Sequence, residues 1–169
     1  MTKGLPRSLA HAAPLRAQII KQTIVVRDLA ISMAGTTGVG WGTAVAEGLP
    51  EGNIQLLGAV ANLQFSGPGG HANLVDTWVG DFAVGTTPAD DGTVTAGDVD
   101  LIASTALAAA TAEVSPVTRG SGPAVLIDNT AGALEVNVNL LVDDASTDGT
   151  VPMTCDGEIY LSYVMLGDD

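Results

Sequence analysis

Apolar and polar positions alternate with period two along much of this chain, most plainly in its last third. Leu134, Val136, Val138, Leu140 and Val142 fall on one side of an extended backbone, and Glu135, Asn137, Asn139 and Asp143 on the other. Successive side chains of a strand point to opposite faces, so this spacing predicts a half-buried strand. Ile159 to Leu166 predicts a closing strand with Tyr160 and Tyr163 on opposite faces. Its expected partner is the Leu134 strand, reversed through the loop from Asp143 to Gly157. Upstream, Thr23-Ile24-Val25-Val26 is a β-branched run, and Thr43 to Ala46 reads as a short strand. Asn53 to Phe65 predicts a longer one, with a bulge at Gly58. Leu74 to Val84 sets Val75, Thr77, Val79 and Asp81 against Trp78 and Phe82. Asp98 to Ser104 sets Val99, Leu101 and Ala103 against Asp98, Asp100 and Ser104, and Val125-Leu126-Ile127 precedes an Asp128-Asn129 turn.

Between these runs lie chain reversals. Ser66-Gly67-Pro68-Gly69-Gly70 is a loop, and Pro88 to Gly92 is a turn, because Asp-Gly beside a proline readily reverses the backbone. The Ala-rich stretch Thr105 to Ala112 has mixed signals: alanine favours helix, while the threonines and the lack of a charged helix face do not. Seven or eight strands with little helix predict an all-β body, an antiparallel β-sandwich of either jelly-roll or Ig-like type. The body is expected over residues 22–169. Residues 1–21 are expected to form an extended basic N-terminal arm, in which Pro6 and Pro14 rule out one continuous helix. Pro14 to Lys21 admits either two helical turns or an extended path.

Composition changes this picture in one respect. Aromatic residues make up only 4% of the 169 residues, while small side chains abound. Small side chains bury little area each, so an oligomer interface is expected to supplement the core. The single cysteine, Cys155, excludes an intrachain disulfide and a cysteine-based zinc site. The first residues lack the continuous apolar region of a secretory signal, and no stretch approaches a membrane-spanning length of apolar residues.

Candidate chemistry is sparse. His11 and His71 lie 60 residues apart, and the paired histidines of a cupin metal site are absent. Gly120-Ser121-Gly122 is too short for a nucleophile elbow, and no Gly-Lys-Ser/Thr phosphate loop occurs. The glycines around Trp41 lack the third glycine of a dinucleotide fingerprint. Cys155 reads as a small side chain on a strand. Asp144-Ala145-Ser146-Thr147-Asp148-Gly149 begins like a calcium loop, but Cys155 holds the place of the bidentate glutamate, leaving a solvated turn or a weak cation site. Asp90-Asp91 and the Asp98/Asp100 pair are read in the same way. These features predict no catalytic residue, no resident metal and no cofactor.

Charge supplies the functional lead. Lys3, Arg7, Arg16, Lys21 and Arg27 lie in the first 27 residues, which hold no acid; the remainder has one base, Arg119, against 19 acids. The chain therefore divides into a part of +5 and a part of −18, summing to −13. So acidic a body repels nucleic acid and anionic membranes. The arm admits three readings: a solubilising tail, a docking strap on an acidic protein surface, or a phosphate binder. The layout favours the strap, with Lys3, Arg7, Arg16, Lys21 and Arg27 as partner-binding residues. Phosphate binding suits it less, because no aromatics are interleaved for base stacking.

Two stretches resemble a pattern in small virion proteins of tailed bacteriophages. One comprises Val79-Gly80-Asp81-Phe82-Ala83-Val84-Gly85-Thr86-Thr87 with Gly97 to Thr105. The other runs from Asp128-Asn129-Thr130 through Val142-Asp143-Asp144-Ala145 and Gly157-Glu158-Ile159-Tyr160-Leu161-Ser162-Tyr163 to Leu166-Gly167-Asp168. The resemblance implies a capsid decoration (cement) protein, β-rich and commonly trimeric, located on the outside of a phage shell. It further implies two partners, the major capsid protein and other copies of itself, with no membrane. No binding motif carries over residue by residue. A carbohydrate-binding or adhesin sandwich, and a tail or fibre component of a virion, are the alternatives.

Overall fold

The computed structural model describes residues 18–36, 38–143 and 150–167. β-branched runs and interrupting glycines build nine strands: β1 (Ile20–Thr36), β2 (Val39–Gly48), β3 (Gly52–Ser66), β4 (Gly80–Gly85), β5 (Ile102–Leu107), β6 (Thr118–Gly122), β7 (Val125–Asn129), β8 (Glu135–Val142) and β9 (Val151–Gly167). All pairings are antiparallel. The strands lie along one path, β5-β4-β8-β2-β1-β9-β3-β6, with β7 beside β6 on the far side of β3.

That path folds into two layers. β1, β9, β3 and β6, with β7, form the first sheet; β2, β8, β4 and β5 form the second. They are joined where Ala34–Thr36 at the end of β1 turns over to pair with Trp41–Val39 of β2. All consecutive strands but β4–β5 and β6–β7 thus cross from one layer to the other, which is the double Greek key of a jelly roll and not the Ig arrangement. The opposite margin nearly closes as well. A Cβ on Gly122 of β6 would stand 1.7 Å from the Leu101 carbonyl oxygen, so only glycine lets β6 lie this close to the start of β5.

The core fills the space between the layers. Ile24, Ile31, Met33, Leu63 and Ile159 of the first sheet meet Val136, Val138, Leu140 and Phe82 of the second, all buried. Phe65 and Phe82 contact across it at 5.7 Å between ring centroids with a 42° tilt. Trp78 is fully buried, and its indole N–H donates to the Glu113 carbonyl at 3.2 Å. Glu113 organises the loops at that end. Its carbonyl also accepts the Gly67 amide (2.9 Å), its carboxylate the Gly70 amide (2.9 Å).

Several sequence expectations hold. The strands at Thr23, Thr43 and Asn53 are present, and the β3 register shifts between Leu56 and Gly58 as the bulge predicts. Others need correction. β9 pairs with β1 and β3 and not with the Leu134 strand, because the jelly-roll crossover puts β8 and β9 in different layers. The strand expected from Leu74 begins only at Gly80; hydrogen bonds from the Leu74 amide to the His71 carbonyl (3.2 Å) and from the Trp78 amide to the Val75 carbonyl (3.3 Å) close tight turns before it. The strand expected from Asp98 begins at Ile102, after a 3-10 turn at Ala96–Asp98. The turn expected at Asp128-Asn129 falls one step later, since both residues still pair with β3. β1 starts at Ile20, so Lys21 lies in a strand; residues 1–17 lie outside the described residues.

The largest correction concerns β8. Asn137 and Asn139, expected on a solvent face, are 3% and 0% exposed. The segment from Thr86 to Val99 folds over that face and is fastened by Asn139. The Asn139 side-chain oxygen accepts the Ala89 amide (2.9 Å), and its NH2 group donates to the carbonyls of Thr87 (3.1 Å) and Asp98 (2.9 Å). Asp98 and Asp100 serve the same cover. Asp100 accepts from the Thr86 amide (2.8 Å) and hydroxyl (2.6 Å), and Asp98 from the Thr87 hydroxyl (2.8 Å).

Candidate attachment surface

Two of the five partner-binding candidates lie within the described residues. Lys21 and Arg27 are exposed on β1, six residues apart on its outward side, with Thr23 and Val25 exposed between them and Ile24 and Val26 turned into the core. Lys3, Arg7 and Arg16 fall outside the described residues. Arg27 sits in a bulge. Arg27 and Asp28 of β1 together oppose Asp156 of β9, Asp28 adopts φ 47°, and its amide donates to the Asp156 carboxylate at 3.0 Å.

The register extends this strip across the first sheet. Thr23 pairs with Tyr160, Tyr160 with Val60, and Val60 with Ser121. In the neighbouring row Val25 pairs with Glu158, Glu158 with Asn62, and Asn62 with Arg119. Gly120 faces the core, so Arg119 on one side of it and Ser121 on the other are turned outward and exposed. Arg119, which the sequence shows only as the body's solitary base, thus shares a face with Lys21 and Arg27. Register was the missing information; no local signal in Thr118 to Gly122 reveals it.

This face is also partly apolar. Val25 is 54% exposed, Leu57 44% and Tyr160 39%. Leu57 is the extra residue of the β3 bulge, which leaves it projecting beside a shallow groove of about 370 Å³ lined by Val60, Ser121, Tyr160 and Ser162 among others. The Tyr160 hydroxyl donates to the Glu158 carboxylate, and that bond is the main reason its phenol titrates above the usual range.

The second sheet differs in having acids and no described base on its outer side. It carries Asp81, Asp100 and the cover segment with Asp90, Asp91 and Asp98. Partial burial, reinforced by the nearby Asp143, raises the Asp81 carboxyl above its ordinary value of 3.8. A raised carboxyl makes the folded form the better proton binder. Its contribution therefore favours the fold below pH 3.8 and is lost as the pH rises through the folded-state value. Asp81→Asn is accordingly expected to raise Tm at pH 7 and to give no gain at pH 3, checked by thermal melts at both values. Asp91 and Asp128 shift the other way, each held low by the hydroxyl and amide of a threonine two residues on.

The residues considered for chemistry have structural surroundings. Cys155 is fully buried in β9, and burial, with Asp156 beside it, pushes its thiol up to about 12. His71 accepts the Asn73 amide at Nδ1 (3.2 Å) in a turn. Among the described residues, no three of His, Cys, Asp and Glu come together in a way that would hold a metal ion. The calcium-like stretch at 144–149 lies outside the described residues.

No protein family model matches this chain, and no curated protein does. Among solved structures the chain is similar to a chain in the structure of infectious bursal disease virus, Gx strain, at 12% identity and a TM-score of 0.33. The similarity spans 86% of this chain but about a third (33%) of the viral one. A likeness that remote carries no argument about function, which rests instead on the residues described above.

Proposed function

We propose that this protein is a structural component of a virion, a decoration protein that binds the outside of a phage capsid shell and stabilises it. The observation that carries the reading is the division of charge, +5 in the first 27 residues against −18 in the rest. The basic arm lies over acidic surface on capsid subunits and neighbouring copies, and the jelly-roll body, assembled as a trimer, forms the knob. Each contact is modest, and linked contacts raise the effective concentration for the next. The protein carries out no reaction of its own. The two side chains best suited to nucleophile or base work, Cys155 and His71, are respectively buried with a raised thiol and engaged by a backbone amide.

The test is removal of residues 1–17, which spares β1. The truncated chain is expected to keep its β-sheet circular dichroism and to lose co-sedimentation with isolated shells. Undiminished occupancy of the shells by the truncated chain would refute the strap.

A further inference from the structure

The described bases gather on one side of the body. Of the six Lys and Arg residues, three belong to residues 1–17, and the other three, Lys21, Arg27 and Arg119, all lie on the outer face of the first sheet. Nothing in the composition requires this, since the three come from two strands separated by β9 and β3. The same face exposes Val25, Leu57 and Tyr160. The opposite face is sealed by the acidic segment that Asn139 fastens down. Residue 17 leads within three residues into β1, so the basic leader is rooted on the strand that bears Lys21 and Arg27.

We propose that the outer face of the first sheet, with Lys21, Arg27 and Arg119 around the apolar patch of Val25, Leu57 and Tyr160, docks on an acidic protein surface, with the second sheet turned away from it. The proposal rests on the attachment reading above and adds an orientation to it. Charge complementarity selects the partner. Every described base lies on this side, where it offsets the neighbouring acids, whereas the outer side of the second sheet presents acids alone, so an acidic surface is repelled least here. The exposed apolar side chains supply the contact that charge alone lacks, while Asp28, Asp156 and Glu158 stand among the three bases and give the face mixed charge.

The probe is poly-L-glutamate, titrated at low salt against the full chain, with backbone amide exchange as the footprint. Lys21→Gln, Arg27→Gln and Arg119→Gln together are expected to weaken binding roughly tenfold, about what three exposed ion pairs supply. A charge-matched control adds three acids at exposed positions elsewhere, Ala72→Glu, Ala131→Glu and Ala133→Glu, and is expected to bind like the parent. Slowed exchange is expected at 20–27, 119–121 and 158–162. If removing residues 1–17 abolishes binding while the three glutamine substitutions leave it unchanged, the face is wrong and the strap stands. If neither change matters, both fall. If a duplex DNA protects the same amides with higher affinity than poly-L-glutamate, the partner class is wrong.

Discussion

Replacing Gly157 with alanine is expected to destabilise the fold by about 3 kcal/mol or more, read as a lower urea midpoint and Tm. Gly157 adopts φ +141°, a region that side chains other than glycine's rarely enter. An added Cβ would stand 2.0 Å from the Asn62 carbonyl oxygen and 3.1 Å from the Leu63 Cα. Both are backbone atoms of β3, the central partner of β9, so neither can swing aside as a flexible side chain would. The position also lies beside the β1 bulge, where Val26 pairs with Gly157 and the Asp28 amide reaches Asp156. Relaxation of β9 there would disturb pairings on both of its edges. Gly58→Ala is the control. It sits in a strand beside a bulge, yet nothing lies within 4 Å of its added Cβ, and its effect is expected to stay within about 0.5 kcal/mol. Equal stability of the two variants would mean that the close approach of β3 and β9 is misplaced.

Asn139→Ala is expected to cost about 3 kcal/mol, unusual for a position whose sequence context reads as solvent-facing. The substitution removes three hydrogen bonds and leaves the Ala89 amide and the carbonyls of Thr87 and Asp98 without their partner under a covered face. Part of the loss should be local. Amide exchange at Ala89 is expected to accelerate before the strands open, because the cover segment is released while β8 keeps its pairing with β2 and β4. An effect below about 0.5 kcal/mol would indicate an open face and would remove the seal on the second sheet.

Asn139 also marks where sequence stops being informative. Period two correctly places Val136, Val138, Leu140 and Val142 inward. It cannot say whether the other side meets water or a folded-back segment, since asparagine is equally at home in both when its hydrogen bonds are met. The alternation at Asp98 to Ser104 fails for a related reason. Asp98 and Asp100 are polar because they accept bonds from Thr86 and Thr87, and the same spacing that suits a strand arises from that local network. Bulges and loops punctuated by glycine are legible because glycine's freedom is a local property, as at Gly58 and Ser66 to Gly70. Pairing of β9 with β1 and β3 is not, because it is set by which layer each strand occupies. The candidate surface divides along the same line. Lys21 and Arg27 emerge from charge counting, whereas Arg119, Leu57 and Tyr160 join them only through register.

The proposal makes one central claim, that a basic leader and the side of the jelly roll bearing its bases hold an otherwise acidic body to a larger assembly. Cryo-electron microscopy of phage particles assembled with the purified protein tests it most directly. The expected result is density for the body on the outside of the shell, with β1, β9, β3 and β6 toward the capsid subunits and the Thr86 to Val99 cover toward solvent. A particle lacking the protein, or a body docked through its acidic cover, would contradict the account.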